Sequence, residues 1–150
     1  MIFLHLILGL ICGGLFGNTL FFIGASMFPD IDHIYLIIKH KLFRLKRTIN
    51  ILKKEEEHNI HFKTPIMHSI FGLIIFSLIF FAITSNLEFT SYFALMYFSH
   101  LLLDWPDIDK KKYLYPFSKK EFCGNLSIWS KAEKKFTLLS LILVIIIYIQ

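Results

Sequence analysis

The positive charges of this chain are confined to two segments, and this distribution constrains the fold more than any other feature. All sixteen Lys and Arg residues lie in these segments, eight in Lys39–Lys63 and eight in Lys110–Lys135. The stretches that contain no Lys, Arg, Asp or Glu are Met1–Pro29, Thr64–Leu87, Phe89–Leu103 and Phe136–Gln150. With 55% hydrophobic residues and a mean hydropathy of +0.60, the chain is too apolar for an ordinary soluble domain. The pattern predicts a small integral membrane protein that forms a single domain over residues 1–150.

The charge-free stretches predict an all-α membrane bundle with three to four transmembrane helices, because a bilayer core requires about 20 apolar residues in a helix. The two basic segments should share one side, which the positive-inside rule makes cytoplasmic. Thr64–Leu87 then runs outward and Phe89–Leu103 returns, with Thr84–Thr90 as the external turn. The 4-3-4-3 spacing of apolar residues among basic ones in Ile34–Lys54 predicts an interfacial helix that contacts anionic lipids. Nucleic-acid binding fits poorly, because no recognised module contains these basic runs.

The N-terminal stretch permits two arrangements. As one straight helix it crosses the membrane once, and His5 then lies about 37 Å from Asp30 at 1.5 Å per residue. However, Gly13-Gly14 and Gly17-Asn18 interrupt the stretch and leave two pieces that are too short to cross. Such pieces favour a re-entrant hairpin, which would bring His5 to the membrane face where Asp30 lies.

Ionisable groups at the ends of membrane helices are costly to bury, so they are functional candidates. The segment Pro29–His33 reads Pro-Asp-Ile-Asp-His, and a proline suits the first helical position. Asp30 and Asp32 should therefore lie in a first helical turn, where the helix dipole favours anions. His100 and Asp104 are four residues apart, so they share one helical face and could share a metal ion.

Further histidines are predicted at the same depth. Thr64-Pro65 predicts a helix start, which places His68 about one turn inside that helix, and His61 precedes it on the loop. The residues expected on this one face are Asp30, Asp32, His33, His61, His68, His100 and Asp104, with His5 joining them in the hairpin arrangement. Imidazoles and carboxylates gathered at one depth would repel each other or stay unsatisfied without a cation. The cluster therefore predicts a divalent metal ion, Zn foremost with Mn or Fe as alternatives, rather than structural histidines alone.

In this order the motifs resemble those of the YdjM-like family of inner-membrane, predicted metal-dependent hydrolases. The residues that carry the resemblance are His5, Phe28–His33, His61, His68-Ser69, Ser99–Asp104, Tyr115–Phe117, Gly124, Asn125 and Glu133. The resemblance implies that His5, Asp30, His33, His61, His68, His100 and Asp104 contribute to a metal centre. The ligand order is also similar to the zinc-dependent phospholipase C and P1 nuclease group, which implies a phosphoester substrate such as a phospholipid. The family's His-Arg-Gly-x-Thr-His-Ser block is altered here over His61–Ser69, where Lys63 would replace the Arg as an anion binder.

Two functions follow as expectations. The first is a multi-pass inner-membrane hydrolase whose metal-activated water attacks a phosphoester at the cytoplasmic leaflet, with Asp30 and Asp32 as ligand or catalytic base. Its expected partners are membrane lipids, anionic ones above all. The second is a non-catalytic metal-binding membrane protein, either an ion carrier or a sensor. The external turn offers only Glu88 as a charged group, which counts against transport.

Overall fold

A computed structural model describes residues 2–42, 63–126 and 130–149, and helices dominate this part of the chain. The elements are α1 (Ile2–Phe16), α2 (Thr19–Met27), a 3₁₀ turn (Phe28–Asp30), α3 (Ile31–Lys39), α4 (Ile70–Thr84), α5 (Leu87–Asp104) and α6 (Lys131–Ile149). Because α2, the 3₁₀ turn and α3 follow one another without a break, the described residues form five helical rods and no strand. The predicted all-α class is confirmed.

Helices α1 and α2 form a hairpin that reverses at Gly17-Asn18. Both residues have left-handed backbone angles, with φ of 75° at Gly17 and 53° at Asn18. Glycine adopts this conformation without steric cost, and asparagine tolerates it better than most residues. Gly13-Gly14, the other predicted interruption, stays within α1. The chain therefore turns back at the second of the two predicted breaks, and the hairpin arrangement is confirmed over the straight helix.

The two helices of this hairpin approach each other closely at Gly9 and Gly13. A Cβ atom on Gly9 would lie 2.6 Å from the Cα of Ile23, and one on Gly13 would lie 2.5 Å from the Cα of Thr19. Small residues four apart allow helix backbones to touch in this way. His5 lies four residues before Gly9 on the same face of α1. The close contact at the two glycines therefore sets the position of His5.

The chain passes from α2 to α3 through the 3₁₀ turn that contains Pro29. Asp30 and Asp32 lie in the first turns of this 3₁₀ segment and of α3, as predicted. Helix α3 ends at Lys39, and Lys41 has a left-handed φ of 52°. The prediction of an uninterrupted helix from Ile34 to Lys54 is therefore wrong at this point, and residues 43–54 lie outside the described part.

Helices α4 and α5 form a second hairpin across the tight turn at Ser85-Asn86. The predicted turn between these two helices is confirmed, while its position on the external side of a membrane stays a prediction. The predicted helix start at Thr64-Pro65 is wrong, because residues 65–68 form a turn and the Ser69 side chain caps α4 by accepting from the Gly72 N–H. The Thr64 hydroxyl instead donates to Asp32, so it joins two parts of the chain that are distant in sequence.

The apolar core lies between α2 and α5, and many large apolar side chains elsewhere in the described residues are exposed. Phe22, Phe93, Met96 and Tyr97 are all almost fully buried. Helix α6 contains no buried residue. By length and composition, only Thr19–Lys39 among the described helices could cross a membrane, while the apolar Phe3–Phe16 and Ile70–Thr84 are shorter. Of the three to four predicted transmembrane helices, the described residues therefore support one.

Replacing Gly9 with Ala should separate α1 from α2 and displace His5. Because the new Cβ meets backbone atoms of Ile23, we expect a loss of about 1–3 kcal/mol in the free energy of unfolding. Gly24→Ala is the matched control, since Gly24 is an exposed helical glycine with no atom within 4 Å of the added Cβ. Thermal unfolding in detergent should show a lower midpoint for Gly9→Ala and an equal or higher one for Gly24→Ala. Equal midpoints for both variants would contradict the close approach.

Candidate metal site

Polar side chains from four separate parts of the chain meet in one buried region. Helix α1, the junction of α2 and α3, the turn before α4 and the last turn of α5 each contribute. The buried imidazole and carboxylate residues in this region are His5, Asp30, Asp32, His68, His100 and Asp104, each at most 9% exposed. Burial of this many ionisable groups costs free energy unless they are paired with each other or bind a cation.

His100 presents one ring nitrogen to the centre of this region. Its Nδ1 donates to the carbonyl oxygen of Ser26 at 2.8 Å, which fixes the tautomer and leaves Nε2 with a lone pair. Nε2 is buried without a hydrogen-bond partner, 3.6 Å from Asp30 Oδ1 and 3.9 Å from Asp104 Oδ2. A histidine whose second nitrogen is anchored to a backbone carbonyl is the usual arrangement of a metal ligand.

His68 faces the same two carboxylates from the turn before α4. Its Nε2 lies 3.8 Å from Asp30 Oδ1 and 3.6 Å from Asp104 Oδ2, and it makes no hydrogen bond. On the other side of the ring, Nδ1 lies 3.3 Å from Asp32 Oδ2. Two imidazole nitrogens and two carboxylate oxygens thus surround one point, at separations of 3.6 to 3.9 Å between nitrogen and oxygen.

His5 reaches this region from α1. Its Nε2 lies 3.2 Å from Asp104 Oδ1, and its ring stacks on the ring of His100 with centroids 3.7 Å apart. The prediction that a hairpin brings His5 beside the Asp30 motif is therefore confirmed. The residue is only 1% exposed, and its Nδ1 has no hydrogen-bond partner.

Two overlapping groups in the described residues have the composition of a metal site, and they share His100. One consists of His5, Asp30 and His100, the other of His68, His100 and Asp104, with ligand atoms within 4.8 Å of one another in each. A tetrahedral Zn ion with bonds near 2.1 Å separates its ligand atoms by about 3.4 Å. The nitrogen–oxygen spacings around Asp104 Oδ2 are a few tenths of an ångström longer, and Nε2 of both His68 and His100 has no hydrogen-bond partner. Donor type, spacing and unsatisfied atoms therefore fit a divalent ion.

Asp32 and His33 lie beside these groups rather than in either of them. Asp32 Oδ2 accepts from the backbone N–H of Thr64 at 2.7 Å and from its hydroxyl at 2.9 Å. Its Oδ1 lies 2.8 Å from His33 Nδ1, which is also 3.6 Å from Asp30 Oδ1. His61, the remaining predicted ligand, lies outside the described residues.

Lys63 is enclosed by carboxylates. Its Nζ lies 2.9, 3.1 and 3.5 Å from Oδ2 atoms of Asp104, Asp107 and Asp109, and its side chain is 9% exposed. Burial disfavours the charged form, but these carboxylates outweigh it and hold the pKa of Lys63 well above its usual range. Lys63 is expected from the sequence to bind an anion, and the anions that its ammonium contacts are three carboxylates of its own chain.

Sequence reasoning missed Asp107 and Asp109, although a signal was present. The pattern aromatic-Pro-Asp-Ile-Asp occurs twice, as Phe28–Asp32 in the metal-site motif and again as Trp105–Asp109. Lys111 was also missed, and it is only 2% exposed with its Nζ 3.3 Å from the carbonyl oxygen of Asp107. Burial, with the neighbouring ammonium of Lys63, lowers the pKa of Lys111 to about 8.

The family model described as YdjM inner membrane protein matches residues 1–150, and the chain belongs to this family. No curated protein and no solved structure matches the chain.

Proposed function

We propose that this member of the YdjM inner membrane protein family is a membrane-bound, metal-dependent hydrolase that acts on a phosphoester at the cytoplasmic leaflet. One observation carries the proposal, namely that imidazole nitrogens and carboxylate oxygens converge in a buried region where several have no hydrogen-bond partner. Apolar residues of the right volume would stabilise a merely structural core better than these groups do. A resident divalent ion, Zn with Mn or Fe as alternatives, removes this cost.

The residues that would hold the ion are His68, His100 and Asp104, with His5 and Asp30 completing the second group. When bound, a divalent ion supplies positive charge for a phosphoryl oxygen and lowers the pKa of a coordinated water. The site is made of nitrogen and oxygen donors only, which suits Zn, Mn or Fe better than a soft ion such as Cu(I).

Within this proposal Asp30 and Asp32, which the sequence predicts alike as ligand or base, have different tasks. Asp30 Oδ1 faces the unsatisfied nitrogens of His68 and His100, so Asp30 is the candidate for ligand or base. Asp32 Oδ2 already accepts two bonds from Thr64 and faces His68 Nδ1. Asp32 is therefore a positioning residue, which orients His68 in the way that carboxylates behind metal-bound histidines do.

Hydrolysis of a chromogenic phosphodiester should require a divalent ion and Asp104. We expect EDTA to abolish turnover and Zn or Mn to restore it, and Asp104→Asn to lose about 100-fold or more. Glu121→Gln is the matched control, because it removes one exposed carboxylate that pairs with Lys112 away from the site. Metal bound at stoichiometry without hydrolysis of phosphodiesters or phospholipids would instead support the non-catalytic metal-binding protein.

Asp32→Asn should weaken the metal site without removing a ligand. If Asp32 only orients His68, we expect the affinity for Zn to fall by about 10- to 100-fold while saturating Zn restores full occupancy. Competition with a fluorescent chelator measures the affinity, and elemental analysis measures the occupancy. Occupancy that stays near zero in saturating Zn would make Asp32 a ligand. An unchanged affinity for Zn would show that Asp32 does not position His68.

The orientation in the membrane is also a proposal, supported by the charge distribution. Lys119 and Lys120 are exposed near the site-bearing end of α5, where they suit the cytoplasmic face and anionic headgroups. At the other end of this hairpin, where Thr84 ends α4 and Leu87 begins α5, Glu88 in the first turn of α5 is the single charged residue.

Cysteine labelling should reveal this orientation. Cys123 is an exposed free thiol in the basic segment, and Cys12 is partly buried in α1. In a Cys12→Ser background, a membrane-impermeant maleimide should label Cys123 only in inside-out vesicles. With both native cysteines replaced by Ser, a Glu88→Cys variant should be labelled only in right-side-out vesicles. Labelling of both positions from the same side would contradict the two-helix crossing.

A further inference from the structure

The carboxylate cluster around Lys63 is left unexplained by the proposed hydrolase. Asp107 and Asp109 belong to neither metal group found in the described residues. They come from the second copy of the aromatic-Pro-Asp-Ile-Asp pattern, whereas the first copy supplies Asp30 and Asp32 to the candidate metal site. The same sequence pattern thus supplies one pair of aspartates to the candidate metal site and another pair to the neighbouring cluster around Lys63.

The two copies meet at the segment Lys63-Thr64. Thr64 donates to the second aspartate of the first copy, Asp32, through both its backbone N–H and its hydroxyl. Lys63 pairs with both aspartates of the second copy, at 3.1 Å and 3.5 Å. Asp104 is common to both places, because its Oδ2 lies 3.6 Å from His68 Nε2 and 2.9 Å from Lys63 Nζ.

The neighbours of the two copies differ in charge. Around the first copy stand imidazoles, which are neutral donors when they bind a metal and add no positive charge of their own. Around the second copy the neighbour is the ammonium of Lys63, with Lys111 Nζ further off at 3.9 Å from Asp107 Oδ2. With neutral imidazoles the first arrangement contains no cation of its own, whereas the second already contains one.

The second cluster has the other properties of a cation site. Asp104 and Asp107 are at most 1% exposed, and the side chain of Asp109 is 12% exposed. Asp107 Oδ1 is buried without a hydrogen-bond partner, so the ammonium does not satisfy the cluster fully. Three carboxylates that point oxygens at one place are the donor set that Mg, Mn or Ca prefer.

We propose that Lys63 is a tethered cation that fills a second carboxylate site, formed by Asp104, Asp107 and Asp109, and that a divalent ion binds there when Lys63 is absent. In the native chain Lys63 keeps this site closed to metal and holds Asp104 where it can face His68 and His100. The proposal concerns binding only, so it stands or falls independently of hydrolysis.

The test replaces Lys63 with Met, which keeps most of the unbranched side chain and removes the terminal ammonium. We expect purified Lys63→Met equilibrated with Mn²⁺ to contain about one more ion per chain than the wild type, measured by elemental analysis. Adding Asp109→Asn to this variant should abolish the extra ion. If wild type and Lys63→Met contain the same amount of Mn²⁺, the proposal is overturned, whether or not the histidine site of the wild type is loaded.

Lys111→Met is the matched control, because it removes one buried ammonium beside the same cluster and changes the net charge equally. It should gain no ion, and a gain equal to that of Lys63→Met would show that only net charge matters. Should Lys63→Met fail to fold without metal, its circular dichroism is measured after refolding with and without Mn²⁺. Recovery with Mn²⁺ supports the second site, and failure to recover contradicts it.

Discussion

The carboxylate of Asp104 is the point at which the separate parts of this chain meet. Its Oδ1 faces His5 of α1, while its Oδ2 faces His68 and Lys63 of the segment before α4. The residue is 1% exposed, so a charge here is stable only because groups from several elements surround it. The same contacts that offset its burial also gather the nitrogen donors. The packing of these elements and the assembly of the candidate metal site therefore both depend on the contacts of the Asp104 carboxylate.

The backbone is shaped to bring those groups together. The close approach of α1 to α2 at Gly9 sets His5 against the ring of His100. The Ser26 carbonyl, near the end of α2, fixes the tautomer of the same ring. The hydroxyl of Tyr97 donates to the Met67 carbonyl at 2.6 Å, which ties the turn that carries His68 to α5. Each contact is local, and each orients one donor.

Sequence alone predicted those parts of the fold and site that depend on local spacing. The pair His100 and Asp104 could be predicted because residues four apart share a helical face, and the N-terminal hairpin followed from the helix-breaking Gly17-Asn18. The task of Thr64 could not be predicted, because the hydroxyl that resembles a helix cap donates to Asp32, thirty-two residues away. The role of Lys63 could not be predicted either, because only tertiary contacts determine whether a lysine pairs with a substrate or with three aspartates.

Elemental analysis of detergent-purified wild type and His100→Ala shows whether the buried imidazoles and carboxylates bind a metal ion. His100 belongs to both groups of donors, so its removal should abolish the bound ion. His40→Ala, at the end of α3 and outside both groups, should keep it. We expect at least one divalent ion per chain in wild type and His40→Ala, and almost none in His100→Ala. A folded wild type that holds no divalent ion even after reloading with Zn or Mn would contradict this expectation.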